Sequence, residues 1–141
     1  MPAKPAVVSR LSTRPVDEKI TINVGCVDLG HVDLLVQEGF YANRSDFIRT
    51  AIRNQISGHA DVVRETVARK HLVLGIQHFD LAALEAVRAS GQTLDVKVLG
   101  LVVFGADVTP DIARDTIASL HVLGAFQASP AVKAALADRL R

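Results

Sequence analysis

The sequence predicts an α+β chain in two parts: a strand-helix-helix module, then a run of three short strand-helix repeats. Three observations carry this. From Glu18 to Val24 apolar and polar residues alternate, with Ile20, Ile22 and Val24 on one side and Lys19, Thr21 and Asn23 on the other, as successive side chains of a strand do. Two stretches with apolar residues three and four apart follow, separated by Gly39-Phe40-Tyr41-Ala42-Asn43. Beyond them the triplet Val-Leu-Gly begins at Val73, Val98 and Val122, each time followed by a helical pattern.

Composition bounds what such a chain can be. With 141 residues there is room for one ordinary domain, or for a small dimeric module plus a second small domain. A hydrophobic fraction of 49% excludes a disordered protein, and 4% aromatics with no Trp leaves the cores to Val, Leu, Ile and Ala. A formal net charge of +1 is not that of a bulk nucleic-acid coat. Any DNA affinity must therefore come from local placement of Lys and Arg, doubled by dimerisation. Cys26 is the single cysteine, which excludes an internal disulfide and suits a reducing compartment. No apolar run is long enough to span a bilayer and no signal-like segment opens the chain, so a cytoplasmic location and no membrane partner are expected.

Residues 1–17 hold Pro2, Pro5 and Pro15 with Lys4, Arg10 and Arg14 and show no period. They read as a flexible arm. Arg10 and Arg14 could reach DNA from it, although incidental tail charges are the favoured reading.

The module proper spans 18–57. After the strand, Gly25-Cys26-Val27 is expected to turn, with Asp28 capping the first helix. Leu29, Val32, Leu35 and Val36 form its stripe, and Gly39 ends it. Asn43 is expected to cap a second helix whose stripe is Phe47, Ile48, Ala51, Ile52 and Ile56. A lone strand cannot satisfy its own backbone, and no other strand lies in this segment. Pairing with the same strand of a second copy solves this. It gives a two-stranded antiparallel ribbon presenting Lys19, Thr21 and Asn23 twice about a two-fold axis. Such a ribbon fits the DNA major groove.

Strand, helix, glycine turn and then Asn43-Arg44-Ser45-Asp46-Phe47-Ile48-Arg49 resemble the ribbon-helix-helix DNA-binding domains of the Arc/MetJ/CopG class, over roughly Lys19 to Ser57. The resemblance implies an obligate homodimer in which the stripes of two subunits interlock. Its core would be Ile20, Ile22, Val24, Leu35, Phe47, Ile48, Ala51 and Ile52. It also implies double-stranded DNA as partner, with Lys19, Thr21 and Asn23 reading bases and Asn43, Arg44 and Ser45 holding phosphates. The chemistry is apt. Lys donates to guanine O6 and N7, Asn pairs with adenine, and Thr bonds a base or touches a thymine methyl. A helix N-terminus favours an anion. The bland alternatives are solvent-facing strand residues for the first trio and plain capping for Asn43 and Ser45. Arg49 and Arg53, four apart, read as a solvated face.

Residues 58–71 read as a linker helix, separated from the preceding helix by a break at Gly58. Residues 72–141 read as the repeats, with helices over Asp80–Ser90, Pro110–Leu120 and Pro130–Leu140, the last two opening on Thr109-Pro110 and Ser129-Pro130. The period suits a short solenoid-like stack or a small α/β domain. Acids and bases nearly balance there, which does not suggest a second DNA surface. An open-ended stack could instead join another copy, giving tetramers or larger assemblies, or bind a protein partner. His71, His78 and His121 lack the close pairing of metal ligands, so no metal and no cofactor are expected. No nucleophile-base pair or phosphate loop stands out, so no enzymatic activity is expected.

The function read from the sequence is a DNA-binding transcriptional regulator, specifically a repressor, whose C-terminal part drives higher-order association. Two alternatives stand beside it. One is a DNA-anchored polymerising protein. The other is an antitoxin whose C-terminal half masks a toxin, which the apolar, periodic character of 72–140 disfavours.

Overall fold

The computed structural model describes residues 17–141; the arm reading of Arg10 and Arg14 lies outside the described residues. Six helices and one three-stranded parallel sheet follow in the order α1 (Cys26–Gln37), α2 (Arg44–Gly58), α3 (Ala60–Lys70), β1 (Val73–Phe79), α4 (Leu81–Ala89), β2 (Leu94–Phe104), α5 (Pro110–Thr116), β3 (Ile117–Gln127) and α6 (Pro130–Leu136). The sheet order is β1-β2-β3.

Residues 18–24, expected as a strand, carry no regular secondary structure in the single chain. An isolated strand has no partner for its backbone groups, and among the described residues no strand pairs with this segment. The first helix also starts earlier than expected. Gly25 occupies the cap position and Asp28 lies in the first turn, where its charge still complements the helix dipole. Cys26 and Val27 are therefore helical rather than part of a turn.

The other end of α1 closes as its glycine demands. The Phe40 N–H donates to the Leu35 carbonyl at 3.0 Å and the Gly39 N–H to the Val36 carbonyl at 3.1 Å. Gly39 sits at φ +84°, the left-handed conformation that this pair of bonds requires. The break between α2 and α3 falls at His59, one residue past the expected Gly58.

The three Val-Leu-Gly triplets align across the sheet. Val73, Val98 and Val122 are register partners, as are Leu74, Leu99 and Leu123, and Gly75, Gly100 and Gly124. The glycines are required by the backbone. They adopt φ of +120°, +141° and +127°, a region closed to other residues. A Cβ on Gly100 would also collide with the Gly75 carbonyl, and one on Gly124 with the Gly100 carbonyl.

Helices α4, α5 and α6 cover one face of the sheet. Leu84, Ile112, Ala113, Val132 and Leu136 meet Val96, Val98, Val102, Phe104, Ile117 and Leu120 in one buried cluster. Thr109 and Ser129 cap their helices as the sequence predicts, accepting from the Ile112 and Val132 N–H groups, and Asp80, read as the first residue of its helix, caps it by accepting from the Ala83 N–H. Two helices are shorter than expected. Residues 117–120, read as the end of a helix, open β3 instead, because Ile117 turns extended and enters the sheet beside Leu94. Helix α6 stops at Leu136, and the chain returns so that Leu140 bridges Leu120. There Arg139 Nη1 donates to the carbonyls of Arg114 and Ile117, closing the end of α5.

The opposite sheet face carries Leu74, Ile76, Leu99, Leu101 and Leu123, opposite in alternation to the core residues. A groove between this face and α3 is lined by Val62, Val63, Thr66 and Val67 on one side and by Leu99 and Leu123 on the other.

Candidate nucleic-acid interface

The expected base-reading residues Lys19, Thr21 and Asn23 are all exposed, in the irregular segment just ahead of α1. Their apolar neighbours are exposed as well: Ile20 at 72%, Ile22 at 62% and Val24 at 44%. Neither set is buried in the protomer.

The start of α2 is more tightly built. The Asn43 side chain accepts from the Asp46 N–H at 2.8 Å, and the Asp46 carboxylate accepts from the Ala42 N–H at 3.0 Å. This reciprocal pair fixes the turn in the manner of a capping box. Tyr41 packs edge-on against Phe47 with ring centroids 5.0 Å apart, stapling the incoming chain to the first turn. Plain capping is thus a real role for Asn43. Ser45 is exposed in the same first turn.

Arg44 departs most from expectation. Its Nε and Nη2 donate to the two carboxylate oxygens of Asp33 at 2.7 and 2.8 Å, a fork-on-fork pair tying the start of α2 to the middle of α1. These hydrogen bonds hold the Asp33 carboxyl below its ordinary pKa and raise the Arg44 guanidinium above its own. Both side chains remain about half exposed, so the pair sits at the surface where a phosphate could compete for the arginine. Asp33 was not singled out from sequence. Its signal was present as an acid on the polar side of the Leu29-Val32-Val36 stripe, eleven residues before an arginine, but that span crosses a turn whose geometry the sequence leaves open.

Of the expected dimer-core residues, Leu35 and Phe47 are partly buried, whereas Ile48 and Ile52 are 37% and 45% exposed and Ala51 is exposed too. Ile56 on the same stripe is 59% exposed. Further apolar side chains that the two stripes did not include, Val27, Leu34, Phe40 and Val62, are exposed as well. Among the described residues before Leu72, Val32 alone is a buried apolar side chain. His71 ends α3 in a left-handed conformation, His78 lies on β1 and His121 on β3, in different rows of the sheet. Among the described residues no helix is long and apolar enough to cross a membrane.

No curated protein and no solved structure matches the chain. A family model does, over residues 15–133, which takes in the irregular segment, all three N-terminal helices and nearly all of the sheet unit. The chain belongs to the ribbon-helix-helix transcriptional regulator family, and with it to the DNA-binding regulators.

Proposed function

We propose that the protein is a sequence-specific repressor that works as a homodimer. Residues 19–24 of two copies pair into an antiparallel ribbon, and its polar face enters the major groove with Lys19, Thr21 and Asn23 from each copy. The first turn of α2 rests on the phosphate backbone through Asn43, Ser45 and Arg44. Phosphate contacts set register there, while the ribbon reads sequence. Division of labour follows the chain: 18–57 binds DNA and dimerises, 58–71 links, and 72–141 joins dimers to one another.

The observation that carries this reading is the unburied apolar surface of the N-terminal part. Ile20, Ile22, Val24, Ile48, Ile52 and Ile56 stand exposed in the protomer, while Val32 alone is a buried apolar side chain among the described residues before Leu72. Large apolar side chains left exposed in this number mark an interface. Burying each isoleucine against a partner is worth ~1.5–3 kcal/mol, enough in sum to make folding and dimerisation one event.

The Ile22→Asp variant tests this. A carboxylate in the paired apolar face should abolish the dimer in sedimentation and DNA binding in the same concentration range. The sheet unit would still give its circular-dichroism signal. A variant that stays dimeric and binds DNA as before would contradict the reading.

The polymerising alternative keeps one supporting observation, the sheet edge described next. The antitoxin alternative has less, since residues 72–141 bury their own core without a partner.

A further inference from the structure

The structure assigns a specific seam to the sheet unit: we propose that the outer edge of β3 in one copy pairs in parallel with the outer edge of β1 in another, in the Val-Leu-Gly register. The proposal rests on the reading that residues 72–141 associate beyond the dimer, and says how.

Gly75 is the first ground. Gly100 and Gly124 must be glycine because the carbonyl of the preceding strand's glycine fills the place of their Cβ. Gly75 adopts the same positive φ, +120°, yet a Cβ there would meet nothing within 4 Å among the described residues. Its backbone is shaped for a neighbour that the described residues of the protomer do not supply. A β3 strand of a second copy, continuing the stack, would bring its Gly124 carbonyl to that empty place.

The second ground is the distribution of charge. Exposed edges are normally guarded by Lys, Pro or other charges. Here the outer strands, Val73–Phe79 and Ile117–Gln127, contain no charged residue and no proline, while the central strand carries Asp95 and Lys97. The protection is absent where an isolated sheet needs it.

The third is fit. Continuing the register sets Val122, Leu123 and Gly124 opposite Val73, Leu74 and Gly75 of the next copy. The C-terminal return occupies β3 at Leu120, through its bridge to Leu140. That row aligns with Val96 on β2, two residues before the partner of Val73, and so falls outside the span of β1. Cap and seam do not compete. Contact of this head-to-tail kind uses two different surfaces of the chain and closes into a ring or grows as a filament.

Cysteine pairing on the full-length protein decides it. In a Cys26→Ser background, Leu74→Cys and Leu123→Cys together would place two thiols across the seam at neighbouring-strand distance, ~4.8 Å, within disulfide reach. Inside one protomer the same positions are two strands apart, ~10 Å, and cannot bridge. Mild oxidation should give a ladder of disulfide-linked species beyond the dimer, absent from Leu74→Cys alone and from the out-of-register pair His78→Cys with Leu123→Cys. Cross-linking by Leu74→Cys alone would mean two β1 edges meeting antiparallel, and would overturn the seam. Sedimentation of the unmodified protein separates the two levels. Concentration-dependent growth without the ladder leaves association standing and removes this seam. A dimer that stays constant with concentration removes both.

Discussion

A phosphate approaching the start of α2 meets Arg44 already bridged to Asp33. The residue expected to grip DNA is thus also a clamp between α1 and α2. Changing Asp33 to Asn should loosen that clamp and free the guanidinium. DNA affinity should hold or rise, whereas Arg44→Ala should weaken binding evenly across sequences and lower the salt slope by about one per contact. Asp33 also gives the clamp a pH signature. Its carboxyl is held below the ordinary value by the arginine's hydrogen bonds. Its contribution is therefore complete above the unfolded carboxylate pKa, about 4, and is lost as pH falls through the depressed native value. Urea midpoints for wild type and Asp33→Asn should differ at neutral pH and converge in acid, by a modest amount because both groups are half exposed. A difference that persists at low pH would argue against the clamp. At this scale the caps at Asn43, Thr109 and Ser129 were legible by type and position before a helical run, whereas Asp28, expected as a cap, lies inside its helix and Asp80, read as helical, is the cap. The Asp33–Arg44 pair was not, because it depends on how two helices cross.

Among the elements, the Val-Leu-Gly triplets carried the most information. Their spacing announced three equivalent strands, and the structure stacks them row on row. The helix lengths were less legible. Residues 117–120 are as apolar as a helix face, and only competition from the sheet, where Ile117 and Leu120 are fully buried, draws them into β3. The ribbon segment is the reverse case. Its alternation is clear in sequence, but no strand among the described residues pairs with it, and the proposed partner is the same segment of a second copy. The glycine rows can be tested within the protomer. Gly100→Ala should be severely destabilising, combining a backbone term of ~1–3 kcal/mol with a collision against the Gly75 carbonyl. At concentrations too low for association between sheet units, Gly75→Ala should incur the backbone term alone, and so unfold at higher urea than Gly100→Ala. Equal midpoints for the two variants would mean that close strand approach does not matter at this row.

On the scale of the whole molecule, the chain divides its burial unequally. The sheet unit closes a core of its own, while the three N-terminal helices leave most of their apolar surface uncovered. On the proposed reading, a regulator built this way would tie DNA binding to dimerisation and leave the sheet edges for association between dimers. Cooperative occupancy of adjacent sites then follows from effective concentration rather than from tighter contact with DNA. All of this depends on the ribbon reading bases. Fluorescence anisotropy on DNA from upstream of the protein's own gene, at two salt concentrations and against scrambled competitor, tests that most directly when the Lys19→Ala, Thr21→Ala, Asn23→Ala triple variant runs beside wild type. Wild-type binding should resist the competitor, and the triple variant should fall to the non-specific level, at ~1–3 kcal/mol per lost contact. Equal binding to both DNAs, unchanged in the variant, would contradict the account.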